Sequence, residues 1–486
     1  MRFFALPLAA LALVAQIAQA QAPATLTVDE AITLARRNNP LFQQTINARR
    51  SADAQLRSAY ASLLPSVSAN MSGRYQKSGS QFVSGVALGN DLDVLQSSYG
   101  LSAQWTLNSA VLFAPKLYKA QSDAAEKDVT GAAELLRATV TQQYLTVLQA
   151  QARAALQDTL VLTTQGQLEL AKARQQVGAG TILDVRRAEV ALGTAEVATL
   201  QAHNTAEVEM LRLFQQLGVT QPANVVLTTR FDIVPVTFKL DSLKDLAYRQ
   251  NPGVLAVRER ERAAGAGVNA QRGQYLPTLT LSTGIGGNSS AFADVNKLIT
   301  SDSLGMLSSL ASCSSQDSIR TGAGLAPRGC SGFAWTPSRG DLVRANNNKF
   351  PFSFTNAPRS FSAFISLPIF DNLNREQRLE EAVIQRDNAR YTVKARELQL
   401  TADVTQAYLN LQTAIKTTQM QEINASRARE ELSFAEERYK VGAATFLDVT
   451  TSRGTFEQAQ IDLLNSKYDY HRAFAALENA VGRPLR

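Results

Sequence analysis

Cysteine and histidine are nearly absent: two of each in 486 residues leave little material for a metal centre. His203 and His471 fall in helical patterns with no Cys or His at ligand spacing, so both read as structural or solvated. No G-x-S-x-G, H-E-x-x-H or phosphate-binding G-x-x-x-x-G-K motif occurs, which argues against an enzyme and against a cofactor. Charge of one sign is also scarce. Lys and Arg total 49 against 42 Asp and Glu, a net +7 spread along the chain, so nucleic acid is a poor partner. Long apolar runs are missing beyond the N-terminus, and any membrane span of the mature chain must be built from strands. What the chain does have is apolar bulk, 45% of residues, so it is neither disordered nor polytopic.

Residues 1–20, MRFFALPLAALALVAQIAQA, combine one early cation, a short apolar core and the small-x-small ending Ala18-Gln19-Ala20. That is the pattern of a cleaved secretory signal peptide. The core is short for the ~20 residues of a bilayer helix. Gln21 rather than Cys follows, so no lipid anchor is expected.

Two sets of repeats organise the rest. LARRNNP (Leu34–Pro40) returns as LAYRQNP (Leu246–Pro252), and Leu64-Pro65 returns as Leu276-Pro277, both 212 positions later. VGAGTILDV (Val177–Val185) returns as VGAATFLDV (Val441–Val449), and Tyr144-Leu145 as Tyr408-Leu409, both 264 positions later. The chain reads as an internal two-fold repeat, residues 21–235 and 236–486, with an insertion in the second copy.

Proline is missing from Lys116 to Gln221 and from Ile369 to Arg483. Since Pro costs a helix interior ~3 kcal/mol, such windows permit long helices. Apolar steps of 3, 4 and 3 at Leu145, Leu148, Ala152 and Ala155 match a packed helical seam. Long helices are expected over 116–177 and 374–441, each near ~100 Å at 1.5 Å per residue. Gly178 and Gly442 suit a left-handed helix end, and Thr181-x-x-Asp184 and Thr445-x-x-Asp448 suit capping boxes that open returning helices over 181–217 and 445–481. Leading helices are expected over 29–63 and 241–275. Helices of that length must run side by side, in a coiled-coil-like bundle or cylinder.

Between leading and long helices the period changes to two. Val67, Ala69, Met71, Gly73 and Tyr75 alternate with Ser and Asn, and Leu101, Ala103, Trp105 and Leu107 with Ser, Gln and Thr. Leu279, Leu281, Thr283 and Ile285, then Phe361, Ala363, Ile365 and Leu367, do the same. Four strands are expected, at about 66–75, 99–107, 278–286 and 360–367, each with one apolar face. In an exported chain this fits transmembrane strands. Four strands cannot close a barrel and lipid forbids open edges, so several copies must share one. Residues 287–359 read as an inserted extracellular loop. Cys313 and Cys330 in it favour one disulfide, with two free thiols as the other reading.

Two tandem copies of helix, strand pair, long helix, VGxxTxxDV tip and returning helix resemble the TolC family of outer-membrane efflux and secretion channels. The resemblance implies an α+β membrane protein: a homotrimer whose twelve strands form one shared barrel in outer-membrane lipid. Its helices would form a hollow tunnel reaching into the periplasm of a Gram-negative bacterium. It also implies a periplasmic adaptor at the tips, around Val177, Gly178, Ala179, Gly180, Val441, Gly442, Ala443 and Ala444, and an inner-membrane pump or ABC exporter beyond it. Asp448 matches the first carboxylate of the family's pore ring. Thr451 stands at the second, so a ring of three carboxylates rather than six is expected. Asp448 also reads as a helix cap, and Asp184 chiefly as one. Tyr439 and Asp184 match members of the family's closing latch, but its Arg position is Ala444 here, which removes a charge-assisted bond. The implied function is a passive exit duct for small toxic compounds or polypeptides. A soluble periplasmic coiled-coil adaptor or structural protein is the competing reading.

Overall fold

The computed structural model describes residues 25–485 except 84, 85, 91, 230, 232 and 234–237; the expected signal peptide lies outside the described residues. Strand β1 (Thr25–Leu26) precedes helices α1 (Val28–Asn38) and α2 (Pro40–Ala61). Strands β2 (Ser66–Gln76), β3 (Gly79–Val83), β4 (Val86–Asn90) and β5 (Val94–Leu107) follow, then helices α3 (Ser109–Gln176) and α4 (Ile182–Leu217) and strand β6 (Val226–Leu227). The second part runs α5 (Leu240–Gln250), α6 (Pro252–Arg272), β7 (Thr278–Phe292), α7 (Val295–Gly322), α8 (Pro337–Asn347), β8 (Thr355–Asn356), β9 (Ser360–Ser366), α9 (Asn374–Lys440) and α10 (Phe446–Val481). Among the described residues, no helix is long and apolar enough to cross a membrane.

Each leading helix, expected to be continuous, is broken in two. Proline biases the residue before it away from helical ψ, and Asn39 and Asn251 are extended at ψ 120° and 118°. Both asparagines then cap the next helix. Asn39 Oδ1 accepts from Phe42 N at 3.0 Å, and Asn251 Oδ1 from Gly253 N at 3.0 Å. Helix α3 starts at Ser109, earlier than the expected 116, and runs through Pro115. That proline forfeits one backbone donor near the helix start. The sheet is longer than expected too: β5 begins at Val94 rather than 99, and β7 ends at Phe292 rather than 286.

The chain divides into two compact units that cut across the two sequence copies. One takes in residues up to Leu56, Lys116–Gly267 and Glu381 onward, and is helical. Its apolar interior gathers in two large clusters and a smaller one near the hairpin tips. The first holds Leu26, Val140, Tyr144, Leu213, Phe214 and Leu217. The second holds Leu243, Leu400, Leu411, Tyr470 and Leu477. Tyr144 is fully buried, and its hydroxyl donates to Leu26 O at 2.7 Å, which fixes β1 and its parallel partner β6.

The other unit takes in Arg57–Pro115 and Val268–Glu380. It holds a five-stranded antiparallel sheet in the order β2-β5-β7, with β9 and the short β8 both on the far side of β7, so five strands stand where four were expected. Strands β3 and β4 form a separate hairpin. The expected loop 287–359 is largely helical. Its Ser- and Gly-rich composition hid α7, whose first turn is capped by Asp294 accepting from Asn296 N and Lys297 N at 3.0 Å. A disulfide joins Cys313 to Cys330, with Cα atoms 5.8 Å apart.

Candidate functional site: an amphipathic sheet and two hairpin tips

Cross-strand partners share a face, so the register defines two surfaces. Val67, Ala103, Thr283 and Phe361 form one row, and Ala69, Leu101 and Ile285 the next. Leu107, Leu279 and Ile365 mark the lower end of the same face. Many of its large side chains are exposed: Val67 is 66% exposed, Met71 64%, Phe361 73% and Ile365 68%, while Trp105, Leu279 and Leu281 are half-buried. An apolar surface of this extent marks an interaction with lipid or protein. From Leu276 to Ile285 the chain covers about 31 Å at ~3.4 Å per residue, or roughly 23 Å high once tilted by ~40°.

The opposite face is hydroxyl-rich. Ser66, Gln104, Ser282 and Ser362 form one row, and Ser68, Ser102, Gly284 and Ser360 another. The hydroxyls pair across strands: Ser68 with Ser102 at 2.9 Å, Ser72 with Ser98 at 2.7 Å, and Ser282 with Ser362 at 2.6 Å. Among the described residues, the outer edges of β2 and β9 have no strand beside them.

The hairpin tips are built alike. Gly178 and Gly442 sit at φ 72° and 78°, where a side chain is strained, and close the turns. Ala179 N donates to Arg174 O and Ala443 N to Arg438 O, both at 2.8 Å. Val177 and Val441 are exposed, and Gly180 and Ala444 half-buried. Thr181–Asp184 and Thr445–Asp448 form complete capping boxes. Asp448 is exposed and takes Thr445 N at 2.8 Å and Thr445 Oγ1 at 2.9 Å. Backbone and side-chain bonds from Thr445, with Arg438 nearby, hold its carboxyl below the usual range. Thr451 is exposed one turn on and donates to Leu447 O at 3.0 Å.

Tyr439 and Asp184 are not hydrogen-bonded to each other. Asp184 is occupied by its own cap, with Thr181 Oγ1 at 2.7 Å. Tyr439 instead lies under the guanidinium of Arg174, 4.2 Å from ring centroid to Cζ, and Arg174 Nη1 donates to Tyr439 O at 3.0 Å. The Tyr439 ring also meets Phe446 edge-on at 6.0 Å, and Phe446 completes a buried cluster with Leu168, Ala171, Val185 and Ala188. The two hairpins thus touch through Arg174, which sequence reasoning missed. The one available signal is positional: Arg174 and Arg438 each precede the tip Val by three residues. A cavity of about 200 Å³ lies beside this contact, lined by Gln167, Leu170, Tyr439, Phe446, Val449 and Arg453. Arg453 is 7% exposed and donates to Glu436 Oε1 at 2.9 Å, while its Nη1 is buried with no partner.

The outer membrane efflux protein family model matches residues 31–219 and 338–483. Outer membrane efflux protein BepC of Brucella suis biovar 1 is 24% identical over 340 residues, 70% of this chain and 61% of that relative. The toluene efflux pump outer membrane protein TtgF of Pseudomonas putida is 29% identical over 171 residues, 34% of this chain and 35% of TtgF. The chain thus spans about three fifths or less of these relatives' lengths. Among solved structures, CusC superposes with a TM-score of 0.72 at 17% identity, covering 94% of this chain and 92% of that one. The Campylobacter jejuni outer membrane channel CmeC superposes with a TM-score of 0.71 at 16% identity, covering 94% and 85%.

Proposed function

The chain belongs to the outer membrane efflux protein family, and on that premise we propose that it is the outer-membrane exit duct of a tripartite efflux system. Strands β2, β5, β7 and β9 of three copies close one twelve-stranded barrel, the two-residue β8 lying outside it, and their helices form a tunnel into the periplasm. The duct does no chemistry. It supplies a water-filled path, and a periplasmic adaptor and an inner-membrane pump supply selection and energy.

One observation carries this reading: a sheet with an exposed apolar face, a hydroxyl-lined opposite face and two open edges. Apolar outside and polar inside is the order of a membrane barrel, and open edges in lipid require further copies. A second observation supports oligomerisation through the helices. Leu183, Val190, Val197 and Leu211 on α4 are exposed and recur at multiples of seven residues, with Asn204 at the intervening position, a stripe suited to packing against another helix.

The hairpin tips serve as the constricted, adaptor-facing end. Asp448 contributes one carboxylate per copy to a ring, and Thr451 leaves the next turn neutral. Arg174 on Tyr439 takes the place of the Tyr439–Asp184 latch. Membrane fractionation, native mass spectrometry and planar-bilayer recording test the proposal together. The expected result is an outer-membrane trimer that conducts ions. A soluble monomer without conductance would overturn it, and a pull-down identifies the adaptor.

A further inference from the structure

We propose that the insertion after β7 forms a collar on the apolar side of the sheet, where Arg344, Lys349 and Arg359 bind the phosphates of anionic lipid headgroups. The inference rests on the membrane reading above and adds a lipid site to it.

An insertion at this point has two faces to choose from, and burial identifies the one it took. Gly287, Ser289 and Ala291 are buried, while Asn288 and Ser290 between them are exposed. Ser97, the cross-strand partner of Ser289, is buried as well, and its hydroxyl donates to Pro351 O at 2.6 Å. Tyr99 meets Phe354 edge-on at 4.8 Å and donates to Asn356 Oδ1 at 2.8 Å. Asn347 clasps the end of β7 from both sides: its Oδ1 accepts from Phe292 N at 2.7 Å, and its Nδ2 donates to Phe292 O at 3.0 Å. These covered positions continue the face of Leu279, Leu281, Thr283 and Ile285. Even the missing side chain fits, since a Cβ on Gly287 would stand 2.7 Å from the Tyr99 ring. The hydroxyl-lined face keeps Gln96, Asn288 and Ser290 exposed, so the insertion does not plug it.

Position then sets the environment. On β5 and β7 the exposed apolar band stops at the row of Leu101 and Ile285 and the covering segment takes over above it, while on β2 Met71 and Tyr75 of the same face stay exposed. In a bilayer that height is where hydrocarbon gives way to headgroups. The cations begin there and continue outward: Arg359 borders that row, Lys349 adjoins the segment over Ser97 and Ser289, and Arg344 lies on α8 near the end of β7. Lys349 lies two residues before Pro351, and Arg359 directly precedes Ser360, the partner of Gly284. Arg344 on α8 donates to Asn296 Oδ1 at 3.0 Å, and Lys349 to Asn346 Oδ1 at 3.0 Å. All three are exposed, and none has a carboxylate within ion-pair distance among the described residues. Residues 293–359 carry seven Lys and Arg against four Asp and no Glu. A phosphate therefore meets cations with no ion pair to break.

Competition between spin-labelled phosphatidylglycerol and phosphatidylcholine around the oligomer in nanodiscs tests the site. Each cation near an anionic surface is worth about fivefold in binding, so the wild type should prefer the anionic lipid by roughly tenfold or more. The triple variant Arg344→Gln, Lys349→Gln, Arg359→Gln should lose that preference, while Arg344→Lys, Lys349→Arg, Arg359→Lys keeps it. The triple Gln variant should also conduct like its parent, because the polar face is untouched. Equal preference in wild type and Gln variant overturns the proposal, as does a changed conductance. Failure to enter nanodiscs at all would instead fell the membrane reading on which the collar rests.

Discussion

Arg174 shows how much one side chain adds to a motif. The tips could be placed from Val-Gly and Thr-x-x-Asp spacing, because turns and caps are local chemistry. The contact between hairpins could not, because it pairs residues 265 apart whose partner choice is set by packing. A cation over an aromatic ring is worth about 0.5–1 kcal/mol at an exposed site, so Arg174→Gln or Tyr439→Leu should raise single-channel open probability roughly two- to fivefold. Tyr439→Phe keeps the ring and should leave it unchanged; an effect equal to that of Tyr439→Leu would assign the role to the hydroxyl. Asp448 invites a different measurement. Its folded carboxyl titrates below the usual carboxylate range, so it stays ionised through that range and its capping contribution is lost only as pH falls through the lowered value. Divalent-cation block of the channel should accordingly be flat from pH 8 to pH 5 and weaken in Asp448→Asn. A titration within that window would assign the block to another group.

At the scale of elements, four helix ends carry glycines whose loss should not cost alike. Gly178 and Gly442 face open space, so Ala there costs only the left-handed backbone, about 1 kcal/mol. At Gly218 a Cβ would come within 2.4 Å of Asn38 O, and at Gly482 within 2.8 Å of Pro252 Cδ. Gly218→Ala and Gly482→Ala should each cost at least about 2 kcal/mol and lower the melting temperature clearly more than the tip variants. The same close approaches explain the broken leading helices. Asn39 Nδ2 donates to Gln216 O at 2.8 Å and Asn251 Nδ2 to Ala480 O at 3.1 Å, so each Asn-Pro hinge is pinned to the end of a returning helix. Asn-Pro was legible as a repeated mark but not as a break, since helical propensity on both sides is high. Along α10, burial raises the Glu457 carboxyl above its usual value beside Arg453. A raised folded pKa means that stability falls as pH rises past the unfolded value. Glu457→Gln should therefore raise the melting temperature at pH 7 and leave it unchanged at pH 4.

For the whole molecule, the two periodicities were the legible part. A period of two marked the sheet, and long proline-free windows marked the helices, because both follow from which face is wet. The insertion was legible as an insertion, from the shifted repeat offset, but its helices were not. Its helix α7 buries no residue, so no apolar stripe announces it. The compact units also had no signal in the repeats, since each unit draws on both copies. The open edges give the sharpest global test. Placing proline at Ala69 and Met71 removes backbone donors from β2 (Pro is tolerated only sparsely within sheets) and should abolish the proposed trimer while leaving the helical content seen by circular dichroism. A trimer that survives would place the assembly contacts in the helices alone. The paired serines have a last implication. Each pair spends one hydroxyl donor internally and keeps the other for water or a passing solute, and Arg74 adds a fixed charge to the same face. Such bonds to solute are weak and exchangeable, so on the proposed reading the choice of cargo falls to whatever loads the duct.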